Sequence, residues 1–240
     1  MRPELLGQTI VVIGGSAGIG LETARQARAA GANIILTARS PEPLALAARE
    51  VDASRTAAFD AKDSASLRSF FSDLPGDIDH VMVTAGGPHY GRALEMPLDE
   101  ARHGLSADLL LALDVARCAV GRVRPSGSLT FMSGTGARRP RIGIGIASTA
   151  MAAFPALIAN LALELAPIRV NSIAPGFVDT RLSAAILGDA LDQRRDELRA
   201  TLPIRRVIGP ADVAALAVHV MSNTALTGSV YDIDGGQQLL

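Results

Sequence analysis

Three glycines, Gly14, Gly18 and Gly20, stand where an apolar run, "IVVI", gives way to the alternating stretch "LETARQARAAG". Glycines at a strand-to-helix turn permit a tight bend and let the backbone come close to an anion. The N-terminus of the following helix then stabilises the charge of a phosphate. Ser16 and Ile19 fill the same turn. The next apolar run ends in Ala38-Arg39-Ser40. A site for NAD(H) usually places an acid there to accept hydrogen bonds from the ribose 2′-OH, and an acid would repel a 2′-phosphate. An arginine fork pairs with that phosphate instead, so Arg39 and Ser40 favour NADP(H) over NAD(H).

Elements that could position such a site alternate along the chain. Strands are expected at 9–13, 33–38, 56–60, 80–85, 128–133, 168–174 and 229–234. Helices are expected at 18–30, 41–51, 64–74, about 98–123, about 145–166 and about 210–221. Continuous β-branched runs alternating with helices imply a parallel sheet covered on both faces. The fold class is therefore a three-layer doubly wound α/β domain of the Rossmann type with about seven strands. One domain is expected over 1–240. A long connection after the sixth strand carries the charged "DQRRDELRA", and 177–208 reads as a substrate lid or a solvated helix pair.

Composition narrows the partners. The formal net charge is −1 over 240 residues, which gives no electrostatic reason to expect nucleic acid or an anionic membrane. Apolar segments such as 161–165 are interrupted by Glu164, Pro167 and Arg169, and no membrane span is expected. The N-terminal "MRPELLGQ" lacks a signal-like apolar stretch, so a cytoplasmic location is expected. Cys118 is the only cysteine, which excludes an intrachain disulfide and leaves a packing role. No metal site is expected. The apolar helices around 109–120 and 148–165 predict a homodimer or homotetramer.

With these motifs in place, the sequence resembles the short-chain dehydrogenase/reductase family along its whole length. "GGSAGIG" is similar to the family's cofactor loop, and Asp60 with Ala61 to its adenine-side turn. "VTAGG", ending in Ala85, Gly86 and Gly87, resembles the Asn-Asn-Ala-Gly turn with Thr84 in place of the second asparagine. "RVNSIAPGFVDT" resembles the segment over the nicotinamide. By that match Pro175, Gly176 and Val178 line the ring pocket, and Thr180 bonds the carboxamide or the phosphates. "DIDGG" resembles the C-terminal signature.

The resemblance also implies a proton-moving apparatus, and this chain lacks its centre. The family pairs a tyrosine with a lysine four residues later on the helix after the fifth strand. That positive charge brings the phenol, near pKa ~10 unperturbed, into range of neutral pH. Ser133 matches the family's carbonyl-polarising serine. Counting 13 residues on gives Ile146, and four more give Ala150. The chain has two tyrosines, Tyr90 and Tyr231, and one lysine, Lys62, so no such pair exists anywhere. Lys62 follows Asp60 and is expected far from the nicotinamide. Asp108, at the position nearest the family's relay asparagine, is one candidate substitute. His89 and Tyr90, in a loop bordering the mouth, are the others.

Losing a general acid typically costs about 10²–10⁴ in rate. Two readings follow. One is an NADP(H)-dependent oxidoreductase acting on an unidentified carbonyl, alcohol or imine by an altered proton route. The other is a catalytically inactive NADP(H)-binding regulatory or assembly protein.

Overall fold

The computed structural model describes residues 4–74 and 76–240. The first three residues of "MRPELLGQ" therefore lie outside the described residues. Seven strands form one parallel sheet: β1 (Thr9–Ile13), β2 (Asn33–Ala38), β3 (Arg55–Ala58), β4 (Ile78–Val83), β5 (Val123–Met132), β6 (Arg169–Pro175) and β7 (Val230–Ile233). Their spatial order is β3-β2-β1-β4-β5-β6-β7. The order reverses between β1 and β4, where doubly wound sheets open a crevice at the carboxyl ends of their strands. All six β4 residues are buried, as are Ile10–Ile13 of β1. A parallel sheet covered on both faces favours apolar runs such as that of β1, and in β4 the buried Asp79 accepts Thr9 N–H while His80 Nδ1 is hydrogen-bonded with Ser128 Oγ.

Helices α1 (Gly18–Ala29), α2 (Pro41–Glu50) and α8 (Pro210–Ser222) carry the buried side chains of one core layer, which includes Ile10, Val12, Leu36, Met82 and Ile173. Helices α3 (Ser64–Ser72), α4 (Leu98–Ala119) and α5 (Gly145–Glu164) supply the other, around Val11, Ile13, Val81, Leu129 and Phe131. The connection after β6 folds into α6 (Arg181–Leu187) and α7 (Leu191–Thr201).

Two boundaries differ most from the sequence reading, by four or five residues. Helix α4 stops at Ala119, because Gly121 takes a left-handed φ of 72° and Arg122 N–H turns back to Ala119 O. Strand β5 consequently begins at Val123, five residues before the expected 128. Among the described residues α5 alone is long and apolar enough to cross a membrane by length and composition, an 18-residue window reaching a mean hydropathy of 1.7, a mark that core helices share. The interruptions counted in the sequence, Glu164, Pro167 and Arg169, fall at or beyond its C-terminal end rather than inside it. One stripe, Ala147, Ala150, Phe154, Ile158 and Leu161, is buried, while Leu163 is exposed on the outer side.

Candidate functional site

The turn after β1 is locked by backbone chemistry. Gly14 and Gly15 N–H both donate to Thr37 O at 2.9 Å, and Thr84 and Ala85 N–H donate to Ile13 O. Thr84 Oγ1 donates to Gly14 O at 3.0 Å, so the threonine in the asparagine-like turn ties β4 to the glycine loop. A Cβ on Gly14, whose φ is 96°, would lie 2.6 Å from Ala85 N. On Gly20 it would collide with Gly14 O and sit 2.5 Å from Thr84 Oγ1. These two glycines are required by close approach of backbone to backbone.

Helix α1 starts at Gly18 with no side chain capping its first N–H groups and no acid in its first turn. Its positive end is therefore left for an anion. Ser16 and Ile19 lie at this mouth, the latter packed against the core layer of α1, α2 and α8. Thr180 faces Gly18 across the gap, its Cγ2 3.8 Å from where a Cβ would be. Arg39 and Ser40 are exposed just past the end of β2, and among the described residues neither side chain is taken by a partner within the chain. Asp60 accepts the Lys62 N–H at 3.0 Å, beside buried Ala61. This cradle fits a dinucleotide phosphate.

On the far side, Pro175 pairs with Ile233 and Gly176 N–H donates to Ile233 O. Gly176 packs against Asp234 and Gln237, while Val178 is buried and bridges to Ile208. The Thr180 hydroxyl accepts the Ser183 N–H at 3.2 Å as the cap of α6. Asp234 holds the last turn by accepting Gly236 N–H and Gln238 N–H. Gln237, itself buried, accepts Phe177 N–H on its Oε1 at 3.0 Å and Arg139 Nη1–H on its backbone oxygen at 2.8 Å. The loops after β5 and β6 are thereby joined. Arg195 grips Asp179 through Nε and Nη2 at 2.9 and 2.8 Å, fixing α7 to the segment after β6.

Ser133, Ile146 and Ala150, the positions reached by the sequence count, stand just after β5 and on α5. Ser133 accepts a hydrogen bond from Ser172 Oγ at 3.0 Å and points its own hydroxyl toward Ile173 O at 3.4 Å. It faces β6. The residue of β5's end that faces α5 is Gly134, where a Cβ would be 3.0 Å from Met151 Sδ. Ile146 turns to α4, with its Cγ2 2.8 Å from a Cβ built on Gly104. Ala150 is buried in the helix stripe beside Ala147. Every α5 side chain near the end of β5 is apolar or, like Ser148, already bonded to Gly136 O.

Asp108 sits one turn after Gly104 on the same face of α4, a spacing of about 6 Å. Its Oδ1 lies 2.6 Å from where a Cβ would project from Gly86, whose φ of 119° only glycine adopts readily. That oxygen is buried and receives no hydrogen bond. The Lys62 ammonium stands 3.7 Å away. Lys62, which the sequence reading expects far from the nicotinamide, meets Asp108 because the loop after β3 reaches α4. Burial pushes the Asp108 carboxyl above the usual carboxylate range, and the Lys62 charge draws it partly back.

His89 lies in the loop after β4, its Cβ 2.8 Å from a Cβ built on Gly104, and so shares that contact point with Ile146. Its ring meets His103 of α4 edge-on, with centroids 5.0 Å apart and planes at 87°. Tyr90 is half-exposed, and burial pushes its phenol up, with Arg141 pulling the other way. An acid made weaker is a poor replacement donor. His103, Lys62 and Met151 were missed as site residues. Only the four-residue spacing of Gly104 and Asp108 offered a signal in the sequence. Cys118 is a free thiol that burial pushes up, in keeping with packing.

A family model described as "Enoyl-(Acyl carrier protein) reductase" matches residues 14–238. The short-chain dehydrogenase/reductase ATR9 of Stachybotrys chlorohalonatus is 30% identical over 254 residues, covering 98% of this chain and 98% of that protein. The short-chain dehydrogenase/reductase malC of Malbranchea aurantiaca is 28% identical over 258 residues, covering 99% and 97%. Among solved structures, the MalC Reductase/Diels-Alderase of Malbranchea aurantiaca superposes with a TM-score of 0.92 at 24% identity, covering 100% of this chain and 99% of that one. A small-chain dehydrogenase in complex with NADPH superposes with a TM-score of 0.83 at 27% identity, covering 98% and 100%.

Proposed function

The chain belongs to the short-chain dehydrogenase/reductase family, and we propose that it is an NADP(H)-dependent oxidoreductase for an activated carbonyl or an imine, with Asp108 handling the proton. NADP(H), when bound, supplies or takes the hydride. Gly14, Gly18, Gly20 and the free N-terminus of α1 would hold its phosphates, and Arg39 with Ser40 its 2′-phosphate. Asp60 and Ala61 would meet the adenine, and Pro175, Gly176, Val178 and Thr180 the nicotinamide end. The relative solved with NADPH supports this choice of cofactor.

The remaining task for the chain is to place a proton on the substrate oxygen or nitrogen. One observation carries the assignment to Asp108: a buried carboxylate oxygen with no hydrogen-bond donor, pressed against the Gly86 backbone beside the nucleotide cradle. Burial raises the Asp108 carboxyl and so favours the protonated form that can donate, and the ammonium of Lys62 stabilises the carboxylate left behind. A carboxylic acid is a stronger donor than a phenol. Met151, half-buried against Gly134 and Gly136, leaves this end of α5 apolar, and an activated carbonyl or imine asks least of a proton donor there.

The segment 177–208, pinned by the Asp179–Arg195 pair, acts as the lid over the substrate. The exposed outer side of α5 is the surface on which two or four copies associate. A cytoplasmic location agrees with a free cysteine.

The test is NADPH consumption with a panel of diketones, quinones and imines, alongside calorimetric titration of NADPH. Turnover that falls about 10²-fold or more in Asp108→Asn is expected. Tight NADPH binding with no consumption above background across the panel would favour a binding protein without chemistry and sink the proposal.

A further inference from the structure

Asp108 must be recharged with a proton after each donation, and the surrounding groups differ in their access to water. We propose that His103 and His89 form a proton path from solvent to Asp108, with His103 as the entry and His89 as the inner member. This inference rests on the reading of Asp108 as the acid.

Position along the path follows from burial. His103 is exposed on α4, while His89 is half-buried where the β4–α4 loop meets Gly104 and Ile146. The edge-on ring contact at 5.0 Å directs an edge of one imidazole at the other. The absence of a side chain at Gly104 permits this approach, because a Cβ there would overlap both His89 and Ile146. Asp108 lies one turn after Gly104 on α4, the position against which His89 packs. In the proposed path a water molecule links the His89 ring to the Asp108 carboxyl. The other titratable and charged groups around the cluster are Lys62, from the loop after β3, and Tyr90 and Arg141, at the rim.

The step is a balanced proton relay. Hydronium or buffer protonates a ring nitrogen of His103. That proton passes through a bridging water to a His89 nitrogen, the first ring becoming neutral again. His89 then gives a proton to the Asp108 carboxylate, which re-forms the carboxylic acid consumed by the substrate. No electron changes hands. Histidine is the side chain whose ordinary titration suits such traffic near neutrality. Among the described residues no group of three or more His, Cys, Asp or Glu side chains is placed to hold a metal, so the pair does not read as part of a metal centre.

The bland alternative is that two aromatic rings simply pack. His103→Phe separates the two readings, because it keeps an edge-on ring and removes the proton carrier. The primary measurement is a 13C carboxyl titration of Asp108 in the intact chain, with and without NADP+. The Asp108 resonance is expected to show its own inflection and a second one in the imidazole range. The second is diminished in His103→Phe and abolished in the double variant with His89→Phe. A resonance indifferent to both substitutions, in folded protein, overturns the path.

The second measurement is NADPH turnover. His103→Phe should lose about tenfold at low buffer concentration, less than a direct acid would, because water still reaches Asp108 slowly. Added imidazole should restore it. Unchanged turnover, or a loss that imidazole does not restore, also overturns the path. Failure of the parent reading is distinguishable, since absent turnover in the unmodified chain would leave the coupled titration intact.

Discussion

Arg39→Ala isolates the basis of cofactor choice. Gly14 and Gly15 both hold Thr37 O, so Arg39 follows two residues after a fixed point of the phosphate loop. Two extended residues span about 7 Å, the scale of a step from pyrophosphate toward a ribose 2′ substituent. The guanidinium is exposed and has no partner within the described residues, so binding breaks no internal ion pair. A hydrogen bond to a charged group is worth about 1.5–3 kcal/mol. Solvent and salt screen an exposed site, and about 2 kcal/mol for the whole fork is a reasonable sum, which corresponds to about 30-fold in Kd. Fluorescence or calorimetric titration of the variant should show NADPH weakened by about that factor and NADH changed less than about twofold. The NADPH advantage of the unmodified chain should also shrink as salt is raised. Equal weakening of both cofactors, or tighter NADH binding before substitution, would refute the argument.

The other predictions concern packing, pH and assembly. Gly20→Ala forces a methyl onto Gly14 O and Thr84 Oγ1, and should cost about 2 kcal/mol, or about 4–8 °C in Tm by thermal denaturation. Because burial raises the Asp108 carboxyl, its protonated form is favoured by folding. Stability should therefore fall as pH rises from the unfolded carboxylate value to the folded one and then level off, and Asp108→Asn should remove that slope in denaturant titrations across acidic pH. Lys62→Met removes a charge that lowers the Asp108 carboxyl, so the basic limb of the reductive pH–rate profile should move upward; a downward move would contradict the assignment. Leu163→Arg places a charge on the exposed outer side of α5, and sedimentation should show smaller species if copies associate there.

The parallel sheet was legible because buried strands need continuous apolar runs, as "IVVI" and "NIILTA" display, whereas the strand order was not. The glycine loop was legible because covalent geometry leaves few alternatives for the close approaches at Gly14 and Gly20. The absence of a tyrosine–lysine pair needed only counting. Side-chain direction was another matter. Whether Ser133 points to β6 or α5 depends on the pairing of Met132 with Ile173, a tertiary fact. The meeting of Lys62 with Asp108 depends on how the loop after β3 crosses α4, across 46 positions of chain. The rotation of Ile146 toward Gly104 likewise follows from helix packing that periodicity leaves undetermined.

Gln237 has a mechanical consequence. Its side chain holds one rim of the mouth at Phe177 and its backbone holds the other at Arg139. Moving either rim alone means abandoning a buried hydrogen bond, at about 1–3 kcal/mol. The aperture therefore behaves as a pair of jaws on a common pin, and a disturbance in the loop after β6 is transmitted through Gln237 to the loop after β5.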